Sequence, residues 1–411
     1  MKHKETSYPR DKIRILLLEN ISRAATVEFT GRGYAGVETL AGALGEDELR
    51  AAIRGVHILG IRSKTRLTER VLAAADKLLA VGCFCIGVNQ VDLKAATARG
   101  VAVFNAPYSN TRSVAELVIG LCVILIRRIV DKNAAAHRGL WLKGAAGSYE
   151  LRGKTLGIVG YGNIGSQVSV LAEALGMNVV YHDIAPRLPL GNARQARDLT
   201  ELLEGSNIVT LHVPADASTR HLINRRTLAH LRDGAILINY SRGDVVDLEA
   251  LRERIESGAI GGAAIDVFPH EPEQSGDPFS SELQNLPNVI LTPHIGGSTE
   301  EAQAGIGADV TSKLLQYLEL GTSNGSHTVP AVSLPIQDGT HRLLHIHRNV
   351  PGVLAEINSK LSGGGINILG QYLKTNDEIG YVILDVDTRI SRDALKILKE
   401  AKGTLKTRAV Y

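Results

Sequence analysis

The chain has 411 residues, enough for two or three domains that each bury a core, and a net charge of +3 from 46 basic and 43 acidic side chains spread along its length. That balance argues against a nucleic-acid-binding arm, and the longest apolar run, residues 117–126, is stopped by Arg127 and Arg128 short of a bilayer span, so neither nucleic acid nor membrane is expected as a partner. Cys83, Cys85 and Cys122 are odd in number, apolar in setting and without a companion ligand cluster, which predicts reduced thiols in a cytoplasmic protein and no metal site; the polar start, Met1 to Arg10, predicts no export signal.

Short apolar runs at 13–19, 56–62, 78–81 and 101–104 alternate with helical patterns and predict an open parallel α/β sheet. From Ser113 one long helix is expected to run past Ile129, its centre apolar enough to be buried on most sides, as a link between domains or under a subunit interface. A strand at 156–159 then leads into Gly160, Gly162 and Gly165, with a helix expected over 166–175. Gly160 permits a tight turn, Gly162 lets backbone amides approach a pyrophosphate, Gly165 lets the helix pack closely, and the positive end of that helix faces the anion. The next strand, 178–182, ends at Asp183, where a carboxylate accepts hydrogen bonds from ribose hydroxyls and repels a 2′-phosphate, so the cofactor is expected to be NAD.

Strands at 208–213, 235–239, 262–266 and 289–292 follow, with Pro214, Ser241, Arg242, Asp266 and His294 at or just past their ends, where open α/β sheets gather ligands. A helix at 299–320 is expected to carry the chain back to the first domain, and the Gly-, Ser- and Pro-rich stretch 321–335 reads as a linker. Beyond it, strand 343–348, helix 352–361, strands 367–374 and 380–386, helix 392–399 and a last strand ending at Tyr411 give the ferredoxin-like order βαββαβ, a regulatory or oligomerising module.

Hydride removal from a hydroxyl-bearing carbon needs a group that takes the hydroxyl proton, and His294, held between Pro293 and the paired glycines Gly296 and Gly297, is the candidate base. Glu271, between Pro269 and Pro272, is placed to orient that imidazole, and Arg242 offers a planar fork for a substrate carboxylate. Asp266 either accepts from the nicotinamide carboxamide or caps a turn. His212 and His270 read as structural or incidental.

With the segments Ala80 to Gly87, Phe104 to Pro107, Ser109 to Glu116 and Leu291 to Thr299 added to these motifs, the chain resembles the D-2-hydroxyacid dehydrogenase family, in the bacterial form that ends in an ACT domain. The resemblance implies a Rossmann-type doubly wound NAD-binding domain at 108–297. It also implies a flavodoxin-like substrate-binding domain in two pieces, 1–107 and 298–335, and a ferredoxin-like ACT domain at 336–411. Arg242, Glu271 and His294 become the catalytic set. Implied NAD contacts are Gly160, Gly162, Asn163, Ile164, Gly165, Asp183, Tyr240, Ser241, Arg242, Asp266, His294, Ile295, Gly296 and Gly297. Implied substrate contacts are Arg62, Ser63, Asn110 and Arg242, with Lys143 reaching in from a neighbouring chain of a homotetramer.

The implied reaction is oxidation of 3-phospho-D-glycerate to 3-phosphohydroxypyruvate, the entry to L-serine synthesis, with reduction of 2-oxoglutarate as a side activity. L-serine is the implied inhibitor, bound where two ACT copies meet by His347, Asn349 and Asn367. Three positions depart from close members: Tyr240 for a small residue, a ring expected either to crowd the nicotinamide edge or to alter substrate selection; Arg348 for an acid, which bears on serine affinity; and Thr340 after Gly339, which predicts a stiffer hinge. Another NAD-dependent D-2-hydroxyacid dehydrogenase, such as a glyoxylate or hydroxypyruvate reductase, and a non-catalytic NAD-sensing protein are the alternatives.

Overall fold

The structure, a computed structural model, describes residues 8–272, 276–387 and 391–410, so the readings for residues 1–7 and Tyr411 lie outside the described residues. The chain forms two units: one holds the residues up to Ser109 and those from Gln303 onward, the other runs from Asn110 to Ala302. Among the described residues no helix is long and apolar enough to cross a membrane, and no group of three His, Cys, Asp or Glu side chains is placed to hold a metal ion.

The first unit opens with β1 (Arg14–Leu17), α1 (Arg23–Gly31), β2 (Gly36–Thr39), α2 (Glu46–Ala52), β3 (Ile58–Ile61), α3 (Glu69–Ala74), β4 (Ala80–Cys83), α4 (Leu93–Ala98) and β5 (Ala102–Asn105). All five strands are parallel in the order β2-β1-β3-β4-β5, the flavodoxin-like order. Strand β2 escapes the apolar-run reading because it is an edge strand with no buried residue. In β3, β4 and β5 every residue is buried, and those are the strands that periodicity finds.

The second unit starts with α5 (Thr111–Ile126) and α6 (Ile129–His137). The single long helix expected here is therefore two. Arg128 takes a left-handed φ of 51°, and the side chain of Asn288 donates to the Leu125 carbonyl at 3.0 Å, capping the last turn of α5. The apolar centre of α5 packs in this unit's own core, with Val114, Val118, Leu121 and Leu125 buried against side chains such as Ile158, Val168 and Ile238.

There follow β6 (Thr155–Val159), α7 (Asn163–Ala174), β7 (Asn178–His182), β8 (Arg194–Gln195), α8 (Leu199–Gly205), β9 (Ile208–Leu211), α9 (Arg225–Leu228), β10 (Ala235–Asn239), α10 (Leu248–Glu256), β11 (Ile260–Ile265) and β12 (Val289–Leu291). Their order, β12-β11-β10-β9-β6-β7-β8, reverses between β6 and β9, as in a doubly wound nucleotide-binding sheet.

The chain returns to the first unit through α11 (Glu300–Leu320), whose Val310 and Leu314 lie so close over β4 that a Cβ on Gly82 would meet them at 2.7 and 2.8 Å. Then come β13 (Thr340–Arg348), α12 (Val353–Gly363), β14 (Ile368–Thr375), β15 (Ile379–Asp387), α13 (Ser391–Lys399) and β16 (Thr404–Ala409), an antiparallel sheet ordered β14-β15-β13-β16. This is the βαββαβ arrangement.

Residues 321–335, read from composition as a linker, are packed along their length. The Thr328 hydroxyl donates to the Val101 carbonyl at 2.7 Å and the His327 amide to the Val103 carbonyl at 2.8 Å, along β5. Fully buried Arg342 pairs with Asp385 at 2.8 Å and donates to the carbonyls of Leu320, Leu334 and Pro335, binding both ends of the segment to β13. One hydrophobic core takes in Ile15 and Ile58 of the parallel sheet, Leu314 of α11, and Leu344, Ile346 and Ile383 of the antiparallel sheet. The C-terminal module is thus fused to the first sheet.

Candidate active site

The glycine loop follows β6. Gly160 has a φ of 92°, and a Cβ there would sit 2.6 Å from the His212 carbonyl, while a Cβ on Gly165 would run into the Gly160 carbonyl. A Cβ on Gly162, by contrast, would meet nothing within 4 Å. Two glycines therefore serve internal packing, and the third leaves open space at the N-terminus of α7, where Asn163 and Ile164 begin the helix and its unpaired amides favour an anion.

Asp183 follows β7. Its carboxylate accepts from the amides of Tyr161 and Ala185, each at 2.8 Å, and from Nε of Arg187 at 3.2 Å. Burial pushes its pKa up, but those two amides and the guanidinium outweigh burial and hold the carboxyl below its ordinary value. A carboxylate that shapes the glycine loop and stays ionised beside it suits a ribose with free hydroxyls.

The ends of β10, β11 and β12 bring Arg242, Glu271 and His294 into one place. His294 Nδ1 lies 2.8 Å from Glu271 Oε2, and Glu271 Oε1 accepts from the Phe268 amide at 3.1 Å. An ionised carboxylate only accepts, so Nδ1 carries the proton and Nε2 is the basic nitrogen. The hydrogen bond to Glu271 raises the His294 pKa, burial lowers it, and the charges of Glu271 and Asp266 add to the rise against Arg242. For Glu271 burial raises the pKa, and the bonds from His294 and the Phe268 amide with the charges of His294 and Arg242 turn the net shift downward. The pair is tuned to favour imidazolium with carboxylate.

His294 itself has a left-handed φ of 54°, strain of the kind that persists where surroundings over-determine a residue. Asp266 supplies that determination. Its side chain, almost fully buried, accepts from the amides of Ile295 and Gly296, each at 2.8 Å, and from the Thr292 hydroxyl at 2.6 Å. Of the two readings for Asp266, the turn cap is what the structure displays.

The Tyr240 ring is 5% exposed against the same turn, its hydroxyl 2.7 Å from Thr292 Oγ1, and burial lifts its pKa to about 12, so the ring supports the turn. Ser241, also buried, hydrogen-bonds Asn239. Asn239 was not singled out from sequence, yet its fully buried amide accepts from the Ser241 amide and hydroxyl and donates to the Arg242 carbonyl, fixing the turn that carries Arg242. Thr292 was likewise missed; it sits in the same motif as His294, but only the fold shows it bridging Tyr240 and Asp266. Arg242 is exposed and gives one N–H to the Ser241 carbonyl at 2.7 Å, leaving a fork able to grip a carboxylate.

Asn110 lies next to the turn that follows His294, since a Cβ on Gly297 would run into its side chain. Arg62 and Ser63 belong to the first unit, after β3, where Arg62 Nη2 donates to Gln303 Oε1 at 2.9 Å. Gln303 lies on α11, and nothing in its local sequence marks it. Lys143 is exposed in the loop after α6, beside Trp141, which is 87% exposed. His347 is buried in β13, stacked on His345 with ring centroids 5.1 Å apart, and burial lowers its pKa. Asn349 donates to the Asn376 carbonyl at 2.8 Å, and Asn367 is exposed just before β14. Strand β15 lies between β13 and β14, and the β14 residue level with His347 is Thr375, so Asn367 stands two strand spacings across and eight residues along the sheet from His347, roughly 25 Å away within one chain.

Known proteins share this arrangement. Residues 119–296 match the family model for the NAD-binding domain of D-isomer-specific 2-hydroxyacid dehydrogenases. Residues 343–406 match that for the acetohydroxyacid synthase small-subunit-like ACT domain. The D-3-phosphoglycerate dehydrogenase of Haemophilus influenzae is 51% identical over 407 residues, 99% of each chain. That of Escherichia coli K12 is 49% identical over 409 residues, 99% of this chain and 100% of the other. The chain belongs to the D-3-phosphoglycerate dehydrogenase family. Among solved structures, a protein from Thermus thermophilus superposes with a TM-score of 0.67 at 34% identity, covering 75% of this chain and 97% of its own. Membership makes the protein an NAD-dependent dehydrogenase, with residues 119–296 matching its NAD-binding domain and residues 343–406 an ACT domain.

Proposed function

We propose that this protein oxidises 3-phospho-D-glycerate to 3-phosphohydroxypyruvate with NAD and is inhibited by L-serine, as an oligomer acting in the cytoplasm. The observation that carries the chemistry is the 2.8 Å contact between His294 and Glu271. Bound NAD supplies the hydride acceptor. His294 Nε2 takes the proton of the C2 hydroxyl, Glu271 holds the imidazolium that forms, and Arg242 grips the carboxylate and polarises the carbonyl in the reverse direction. Arg62 and Ser63 hold the phosphate. Like 3-phospho-D-glycerate, 2-oxoglutarate carries two separated anionic ends, which supports its reduction as a side reaction.

Serine control rests on His347, Asn349 and Asn367. Because Asn367 stands on the opposite side of β15 from the other two, the effector site is completed by a second copy across the β14 edge, where Leu369 and Tyr372 are 43% and 47% exposed. The exposed Trp141 with Leu140 and Leu142 offers a second contact face, from which Lys143 reaches a neighbour's substrate; two such faces support a tetramer. Arg348 in place of an acid is expected to weaken serine binding, and Thr340, buried at the start of β13 with its hydroxyl on the Gln337 carbonyl, stiffens the segment after Gly339.

NADH formation measured with 3-phospho-D-glycerate and with unphosphorylated D-2-hydroxy acids, each with and without L-serine, tests this reading. The phosphorylated substrate is expected to have the higher kcat/KM, and serine to suppress it. Asn349→Ala is expected to lose most of the serine response at unchanged turnover. A preference for glyoxylate or hydroxypyruvate, or no turnover at all, would move the protein to one of its alternatives.

A further inference from the structure

The first sheet reverses its strand order between β1 and β3, so the loops leaving those two strands form the crevice where open α/β sheets take ligands. Arg62 follows β3. Across from it, after β1, stands Glu19, 8% exposed and in a left-handed conformation with a φ of 60°. Its carboxylate has no ion-pair partner among the described side chains. Three backbone amides converge on it instead: Arg62 at 3.0 Å and Thr65 at 2.9 Å on Oε1, and Lys64 at 3.0 Å on Oε2. Amides converging in this way make an anion-binding concavity. Here the chain's own carboxylate fills it.

We propose that Glu19 is the positioning residue of the phosphate loop: by occupying the amides of residues 62, 64 and 65 it fixes the loop and directs substrate phosphate to the Arg62 guanidinium and to Ser63. The proposal rests on the reading of Arg62 and Ser63 as the phosphate site. A phosphate cannot enter the concavity against a carboxylate already there, since like charges at that distance repel. The Ser63 amide is the one member of the run 62–65 that Glu19 does not take. The rest of Arg62 is held as well, its carbonyl accepting from Gln90 Nε2 at 2.8 Å and its Nη2 bonded to Gln303 at 2.9 Å. Glu19 touches no substrate atom in this scheme; it acts through Arg62 and Ser63.

In Glu19→Gln one side-chain oxygen still accepts, but the new NH₂ group faces an amide donor, so the loop loses its geometry while side-chain volume is kept. The full-length protein carrying this change is expected to show a KM for 3-phospho-D-glycerate raised roughly tenfold, with kcat within about threefold of the parent and the KM for NAD unchanged. Glu19→Asp, which keeps the charge and shortens the reach, is expected to raise the same KM severalfold and serves as the test if the glutamine variant does not fold. Arg62→Gln is measured in parallel. If Arg62→Gln leaves the KM for 3-phospho-D-glycerate at the parental value, the phosphate-site reading fails and the proposal falls with it. If Arg62→Gln raises that KM and the Glu19 variants do not, the proposal alone is overturned. A Glu19 variant that loses kcat and both KM values together with thermal stability marks a purely structural residue and overturns it too.

Discussion

Replacing His294 with Asn is expected to lower kcat for 3-phospho-D-glycerate oxidation by roughly 10²–10⁴-fold, the usual span for loss of a positioned general base. Asn keeps a polar group of related shape at a position whose φ of 54° already tolerates Asn well, so the fold of the turn is retained. The pH dependence gives a sharper reading. The base works unprotonated, and the hydrogen bond that His294 donates to Glu271 raises the His294 pKa above its ordinary 6.5, so kcat/KM for oxidation falls as pH drops through that raised value. Glu271→Gln removes the largest cause of the rise. The limb then moves to lower pH, and the maximal rate falls because the imidazolium formed during hydride removal loses its carboxylate. A His294→Asn enzyme within a few-fold of the parent, or a Glu271→Gln profile whose limb stays in place, would exclude this pair as the catalytic machinery. Stopped-flow NADH formation separates the chemical step from product release and decides between these outcomes.

Local chemistry made much of this site readable from sequence. The glycine loop, the strand ending at Asp183 and the strand ends carrying Arg242 and His294 are marked by short apolar runs that end in glycine or polar residues, a pattern contained within a few residues of each. What escaped depends on distant partners. The break between α5 and α6 needs Asn288, from a loop before β12, to cap Leu125. Residues 321–335 have the composition of a linker, but their hydroxyls are satisfied in the interior: Ser323 donates to the Pro330 carbonyl at 2.6 Å and Thr328 to that of Val101 at 2.7 Å. Polar groups buried with partners look like loop residues until the partners are known. Tyr240 and Glu19 show the same thing at the site itself. Tyr240 packs against a turn held by Thr292 and Asp266, and Glu19, counted in the first apolar run, holds three amides from beyond β3.

Asp183→Ser is expected to reduce the NAD-to-NADP ratio of kcat/KM by roughly 10²–10³-fold. Hydrogen bonds to a charged group contribute about 1.5–3 kcal/mol each, and a ribose offers two hydroxyls to one carboxylate, so losing both, with the introduced serine recovering part, costs NAD about 3–4 kcal/mol through KM. A carboxylate has about four acceptor sites, and three are already taken by Tyr161, Ala185 and Arg187. Arg187, the most exposed of these partners at 44%, is the one that yields when a ribose binds. Removing the carboxylate takes away the charge that repels a 2′-phosphate and frees the Arg187 guanidinium, a suitable partner for that phosphate. Asp183 also holds the Tyr161 amide inside the glycine loop, so part of the NAD loss comes from a loosened loop. Serine keeps a short acceptor for that amide and limits this part. Initial rates with both cofactors at saturating 3-phospho-D-glycerate give the ratio directly. In the double variant Asp183→Ser with Arg187→Ala the NADP gain is expected to vanish while the NAD loss remains. A ratio unchanged in the single variant would mean that the ribose is read elsewhere and that Asp183 serves the loop alone.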